Sequence, residues 1–261
     1  MAPKKIRAGI IGCGGISHFH IHNIFNNAKT EVVGLCDPYQ PSIDKLAEAF
    51  IASGRPVPPS EPDIQQFLKS FDMDVVLIAT PHALHYEHTL AALEAGLDVL
   101  LEKPMVVNTR EALDLIAARD RTGATLVVSF QGSLSPLIRL ASAAIKDRRY
   151  GELLSVSATV WQNWGPNTAG TWRQNPEHSG GGFIFDTGAH MLNTVADLVN
   201  QDFVEVTAWM NNHGRNVETM SVAIAKLESG AYVSLHGCGE TIPVCDSSLK
   251  EIGRASCRER E

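Results

Sequence analysis

Along the first 130 residues, short β-branched and leucine-rich runs alternate with longer stretches whose apolar residues recur at helical spacing. The runs Ile6 to Ile11, Val32 to Cys36, Val75 to Ala79, Val99 to Leu101 and Leu126 to Phe130 read as strands. They are near-continuous in apolar residues, as strands buried on both faces are. Helices are predicted over Ile16 to Asn26, Ile43 to Ala52, Leu84 to Ala95 and Arg110 to Arg121, with Gly96 as a C-terminal cap and Thr109 as an N-cap. This alternation predicts βαβ units on a doubly wound parallel sheet, an α/β Rossmann domain over residues 1–130.

After a helix expected over Leu134 to Arg148, the period changes. Leu153 to Trp161, Phe203 to Met210, Val217 to Leu227 and Ala231 to Gly237 alternate apolar and polar residues, and Glu228-Ser229-Gly230 reads as a hairpin turn. Residues 131–249 are therefore expected to form an α+β domain with an open, mostly antiparallel sheet. One face of such a sheet takes a helix and leaves the other for a partner.

Composition narrows the function classes. A chain of 261 residues, 44% hydrophobic, with a formal charge of −7, can bury a large core and has no basic cluster suited to nucleic acid. Small molecules are the expected partners. The apolar stretch Ile6 to Ile11 is broken by Arg7 and is too short for a signal peptide or membrane span, so a cytoplasmic location is expected. The five cysteines have no zinc spacing, and no metal is expected.

Gly12-Cys13-Gly14-Gly15-Ile16-Ser17 lies between the first strand and the first helix, the context a dinucleotide-binding turn requires. Gly12 permits the turn, Gly14 and Gly15 let backbone approach a pyrophosphate, and the helix that opens at Ile16 points its positive end at the phosphates. Ser17 stands where a third glycine or alanine is usual. Asp37 ends the second strand 22 positions after Gly15, near the offset at which a carboxylate bonds the adenosine ribose. NAD is the expected cofactor; Pro38-Tyr39-Gln40 supplies no arginine for the 2′-phosphate of NADP.

Glu102-Lys103-Pro104 puts a lysine at the carboxyl end of a buried strand, where open α/β sheets bind ligands. Asp186 and His190, four apart after the Ser179-Gly180-Gly181-Gly182 loop, are expected on one helix face as an acid–base pair, or else as an exposed pair of little consequence. Trp161, Asn163, Trp172 and Arg173 suit a hydroxylated ring, and core packing accounts for the tryptophans equally well. His82, His85 and His88 recur at spacing three without other metal-ligand signals.

With the glycine turn, Asp37, Ala79-Thr80-Pro81, Glu102-Lys103-Pro104 and Gly181 to His190 in this order, the chain resembles the Gfo/Idh/MocA oxidoreductases. The resemblance covers Lys4 to about Leu249. It implies hydride transfer between NAD(P) and a CH–OH group of a sugar, inositol or related polyol, with Lys103, Asp186 and His190 catalytic. It further implies that Thr80, Pro81, His85 and Glu102 line the cofactor cleft, with His82 and His88 solvated, and that the full-length form is a homo-oligomer through the second-domain sheet. Asn193 departs from the pattern, where an aspartate often follows the histidine by three. Two other activities occur on this scaffold: a hydrolase or lyase using NAD for transient oxidation, and a non-catalytic sensor of dinucleotide or sugar.

Residues 250–261 show neither strand alternation nor a helical stripe and resemble a translated sequencing-library adapter. A non-native or disordered tail is expected there, with the second domain incomplete.

Overall fold

Unbroken apolar runs pair side by side in the first unit, Met1–Ser129. The computed structural model describes residues 5–241 and 246–253. In order come β1 (Ile6–Ile11), α1 (Gly15–Phe25), β2 (Thr30–Cys36), α2 (Gln40–Ala52), β3 (Ser60–Glu61), α3 (Ile64–Ser70) and β4 (Val75–Ile78). They are followed by α4 (His85–Glu94), β5 (Asp98–Leu101), α5 (Thr109–Thr122) and β6 (Leu126–Val128). All strands pair in parallel in the order β3-β2-β1-β4-β5-β6. The chain winds outward from β1 to one edge and then from β4 to the other, so the carboxyl ends of β1 and β4 flank a topological switch point.

Sequence periodicity misses β3 and α3. The strand is two polar residues long, and the helix has only seven, started by Asp63, whose carboxylate accepts the Gln66 N–H. The helix nevertheless carries a fully buried ring, Phe67. That ring fits because β1 and β2 have glycines beneath it: a Cβ at Gly34 would come within 2.8 Å of Phe67. Asn108, and not Thr109, caps α5, its side chain accepting the Glu111 N–H; Thr109 is the first helical residue. Gly123, in the left-handed region at φ 71°, ends that helix, and Gly96, at φ 76°, follows α4 as expected.

The second unit, Phe130–Glu261, begins with α6 (Pro136–Lys146) and β7 (Leu153–Trp161). Three one-turn helices follow, α7 (Trp164–Asn167), α8 (Pro176–Ser179) and α9 (Phe183–Asp186), and then α10 (Gly188–Val199). The remaining strands are β8 (Phe203–Asn211), β9 (Met220–Leu227), β10 (Tyr232–Cys238) and β11 (Asp246–Gly253). The sheet order is β11-β7-β10-β9-β8, antiparallel except for the β7–β10 pair. Gly230, at φ 87°, closes the β9–β10 hairpin, where Leu227 N–H donates to Ala231 O at 2.9 Å.

Met191, Val195 and Val199, four apart on α10, cover Val156, Ala158, Val160, Ala225, Val233 and Leu235 on one sheet face. The other face bears exposed Trp209, Val222, Ile224 and Tyr232. Edge strand β8 is exposed at all nine positions, including Val204, Val206 and Met210. β11 pairs with β7 as far as Gly253, beyond the Leu249 at which the sequence reading ends the domain. Residues 254–261 of the expected tail lie outside the described residues. Among the described residues no helix is long and apolar enough to cross a membrane.

Candidate active site

Gly12 follows β1 at φ 89°, and a Cβ on it would stand 2.6 Å from Ala79 O, so both backbone conformation and the neighbouring strand end demand glycine. Gly14 caps α1 with no side chain on the helix N–H groups and no acidic residue in the first turn. A Cβ at Gly14 or Gly15 would meet nothing within 4 Å. The positive helix end is thus open and unneutralised, as an incoming pyrophosphate requires. Ser17 is fully buried and donates its hydroxyl to Gly12 O at 2.5 Å, which accounts for a serine where a third small residue packs helix on strand.

Asp37 is held against this turn. Its Oδ2 accepts the Cys13 N–H at 2.8 Å and its Oδ1 the Tyr39 N–H at 2.9 Å. Burial, with the Asp37 charge adding to it, pushes the Cys13 thiol up to about 12, so the thiol in the turn is an inert space-filler.

At the end of β5 the Glu102 N–H continues the ladder to Ile78 O. The Glu102 side chain bridges two partners: Oε1 lies 2.6 Å from His20 Nε2, and Oε2 accepts the Lys103 N–H at 3.2 Å. Burial raises its carboxyl pKa, but the His20 and Lys103 interactions outweigh it and the net position is below the ordinary value. Lys103 is half-buried beside it.

His85 is completely buried, with Nδ1 2.7 Å from Pro104 O and Nε2 3.0 Å from Thr80 O, so a neutral ring donates to one of these carbonyls and only packs against the other. Desolvation lowers its pKa against the pull of both carbonyls. His82 is likewise buried, edge-on to His85, and half-buried His88 lies 3.2 Å from Thr80 Oγ1; neither is solvated as expected. Thr80 and Pro81 lie between Gly12's neighbour Ala79 and the turn His82–Leu84.

In the second unit, Glu218 organises the glycine loop. Its Oε2 accepts the Gly182 N–H at 2.6 Å, its Oε1 the Ile184 N–H at 3.1 Å, and its carbonyl the Phe183 N–H at 2.8 Å. A Cβ at Gly182 would collide with that carbonyl. The clamp starts α9, whose last residue is Asp186. Thr187 keeps helical dihedrals and donates its N–H to Phe183 O at 2.9 Å, while His190 N–H bonds Thr187 O at 3.2 Å, so Asp186 closes α9 and His190 follows one turn later in the first turn of α10.

Asp186 is buried, and its Oδ2 accepts from Trp164 Nε1 at 2.9 Å and Arg173 Nε at 3.1 Å. The Arg173 guanidinium lies 4.5 Å from the Trp172 ring centroid. His190 packs edge-on to Phe130, with centroids 5.8 Å apart, and helps line a cleft of about 440 Å³ with Gln162, Thr187, Thr194 and the β7 residues Ala158 and Val160. Asn193 Oδ1 accepts the Ser133 hydroxyl at 2.6 Å, a bond that needs no charge on residue 193. The structure therefore gathers Trp172, Arg173 and Asp186. It turns Trp161 against His236 and Asn163 toward Asn167.

Residues 6–130 match the family model described as an oxidoreductase family with an NAD-binding Rossmann fold, and residues 138–243 match the GFO/IDH/MocA C-terminal domain. The chain belongs to the Gfo/Idh/MocA oxidoreductase family. Among its Gfo/Idh/MocA-type relatives, the D-glucoside 3-dehydrogenase of Escherichia coli (strain K12) is 29% identical over 74% of this chain and 53% of that protein. An alpha-N-acetylgalactosaminidase of Shewanella oneidensis is 24% identical over 77% of this chain and 46% of its own length. The chain thus spans about half the length of these curated relatives. The crystal structure of the WlbA dehydrogenase from Bordetella pertussis, in complex with NADH and UDP-GlcNAcA, superposes with a TM-score of 0.86 at 26% identity, covering 97% of this chain and 73% of that one.

Three residues that hold the expected site residues within each unit of this Gfo/Idh/MocA chain escape a reading of the sequence. Trp164 looks no different from Trp161, three residues before it, until its indole is seen to meet Asp186. His20 and Glu218 act on residues 82 and 36 positions away, which no local spacing can signal.

Proposed function

We propose that the chain is a cytoplasmic, NAD-dependent oxidoreductase that moves hydride to or from the CH–OH carbon of a sugar, inositol or related polyol. The observation that carries this reading is the fixed Asp37 carboxylate beside an open, uncapped α1 N-terminus. That pair suits the ribose hydroxyls and the pyrophosphate of one dinucleotide, and the carboxylate repels a 2′-phosphate. Titration should give clearly tighter binding of NADH than NADPH, and Asp37→Ala should narrow the gap; tighter NADPH binding by the unmodified chain overturns the assignment.

When bound, the nicotinamide accepts or delivers the hydride. His190 takes the hydroxyl proton during oxidation and returns it during reduction, and the Lys103 ammonium donates a hydrogen bond to the same substrate oxygen. Asp186, fixed by Trp164 and Arg173, supplies a negative charge one turn before His190. Trp172, stacked under Arg173, offers an aromatic face to a sugar ring, with Trp161 and Asn163 as further contacts. The exposed apolar sheet face supports a homo-oligomer of the full-length form. A screen of sugars and polyols with NAD, read as NADH absorbance, tests the activity. Turnover of none of them, with NAD bound, would refute it.

The similarity to an alpha-N-acetylgalactosaminidase favours one second reading, a glycoside hydrolase that oxidises its substrate transiently. Glycoside cleavage by tightly held NAD, without net NADH, identifies that activity.

A further inference from the structure

The two residues flanking Lys103 are each gripped by an imidazole from a different helix. On one side His20 of α1 meets Glu102 at 2.6 Å, with side chains only 16% and 12% exposed, while the other carboxylate oxygen accepts the Lys103 N–H. On the other side the buried His85 of α4 meets Pro104 O at 2.7 Å. We infer that His20 and His85 are positioning residues that together fix the backbone on both sides of Lys103 and thereby set where its ammonium stands. This rests on the reading of Lys103 as the group that hydrogen-bonds substrate.

The need for such a brace follows from the sheet. β5 ends at Leu101, and the last ladder bond is that of the Glu102 N–H, so β-pairing no longer holds the chain where the lysine begins. A lysine side chain has four rotatable bonds, and a small displacement at its root is carried to the ammonium. Misplacement of a reacting group by about 1 Å costs on the order of a hundredfold in rate. The two imidazoles also have second attachments. His20 rides on the helix whose N-terminus faces the glycine turn, and His85 opens α4 directly after residues 80–84 beyond β4, with its ring packed against Thr80 O. Lys103 is therefore tied to both loops at the switch point, and a cofactor that orders those loops orders the lysine as well.

Acetylation of Lys103, followed by peptide mass spectrometry, reads this without requiring turnover. His20→Ala and His85→Leu are expected to change the Lys103 acetylation rate at least about threefold relative to Lys45 and Lys69, and to lower kcat about tenfold or more. His20→Gln keeps a donor near the Nε2 position and His85→Asn one near Nδ1. Both should restore Lys103 labelling and kcat to within about threefold of the unmodified chain. If His85→Leu does not fold, the His20 pair decides. A His20→Ala protein that melts at lower temperature yet labels Lys103 at the normal rate, with a normal pH profile of kcat, overturns the inference: the histidine is then only a staple. Failure of Lys103→Ala to lower turnover would overturn the functional reading and leave the labelling result untouched.

Discussion

Lys103→Ala and His190→Ala are each expected to lower kcat by about 10²- to 10⁴-fold while NAD binding survives, the loss that accompanies removal of an acid–base partner. The separation arises from where the groups sit. The dinucleotide features, Gly12, the uncapped α1 N-terminus and Asp37, depend on neither side chain. His190 is half-buried at the wall of its cleft and packs on Phe130, so truncation to alanine mainly opens space beside that ring. Melting temperature should therefore move little, and NADH titration gives the control. Normal turnover in both variants would refute the proposed proton transfer, since neither group would then act on the substrate oxygen.

Glu218→Ala is expected to damage catalysis from a distance. Its carboxylate satisfies the N–H groups of Gly182 and Ile184, and leaving a buried donor unpaired costs about 1–3 kcal/mol. The first turn of α9 would loosen, and Asp186 at its end would lose its fixed direction. A fall in kcat of about 10- to 100-fold is expected, with unchanged affinity for NADH and a lower melting temperature. Glu218→Gln should rescue poorly, because one of its two terminal atoms is an NH₂ group that would face a backbone donor. Full activity in the glutamine variant would mean that the clamp does not set the position of Asp186.

The bounds of β1 and β7 follow directly from an apolar run and an alternating run, because burial on two faces or on one is written into the composition of consecutive residues. The doubly wound parallel sheet is legible for the same reason, and the glycine turn from its place between a strand and a helix. β3 and α3 were not, since a two-residue polar strand has no period and Phe67 alone carries the packing of a seven-residue helix. Asp186 and His190 have the spacing of one helical face, and nothing in the sequence signals that α9 passes into α10 at Thr187 between them. The burial of His85 is not legible, because a histidine beside a cofactor loop has the same sequence whether its ring points outward or packs inward between Thr80 O and Pro104 O. The His20–Glu102 and Glu218–Gly182 contacts are products of the fold, which alone brings such distant residues together.

The nine exposed positions of β8 have a practical consequence. Among the described residues β8 is an edge strand, with exposed Val206 and Met210 on one face and Trp209 on the other, and it offers edge N–H and C=O groups together with apolar side chains to any neighbour. Concentration, salt and detergent will therefore govern how this protein behaves in the test tube through a region remote in sequence from its glycine turn. A preparation that clumps would still be able to bind its nucleotide normally, so precipitation is a poor proxy for loss of the Rossmann domain.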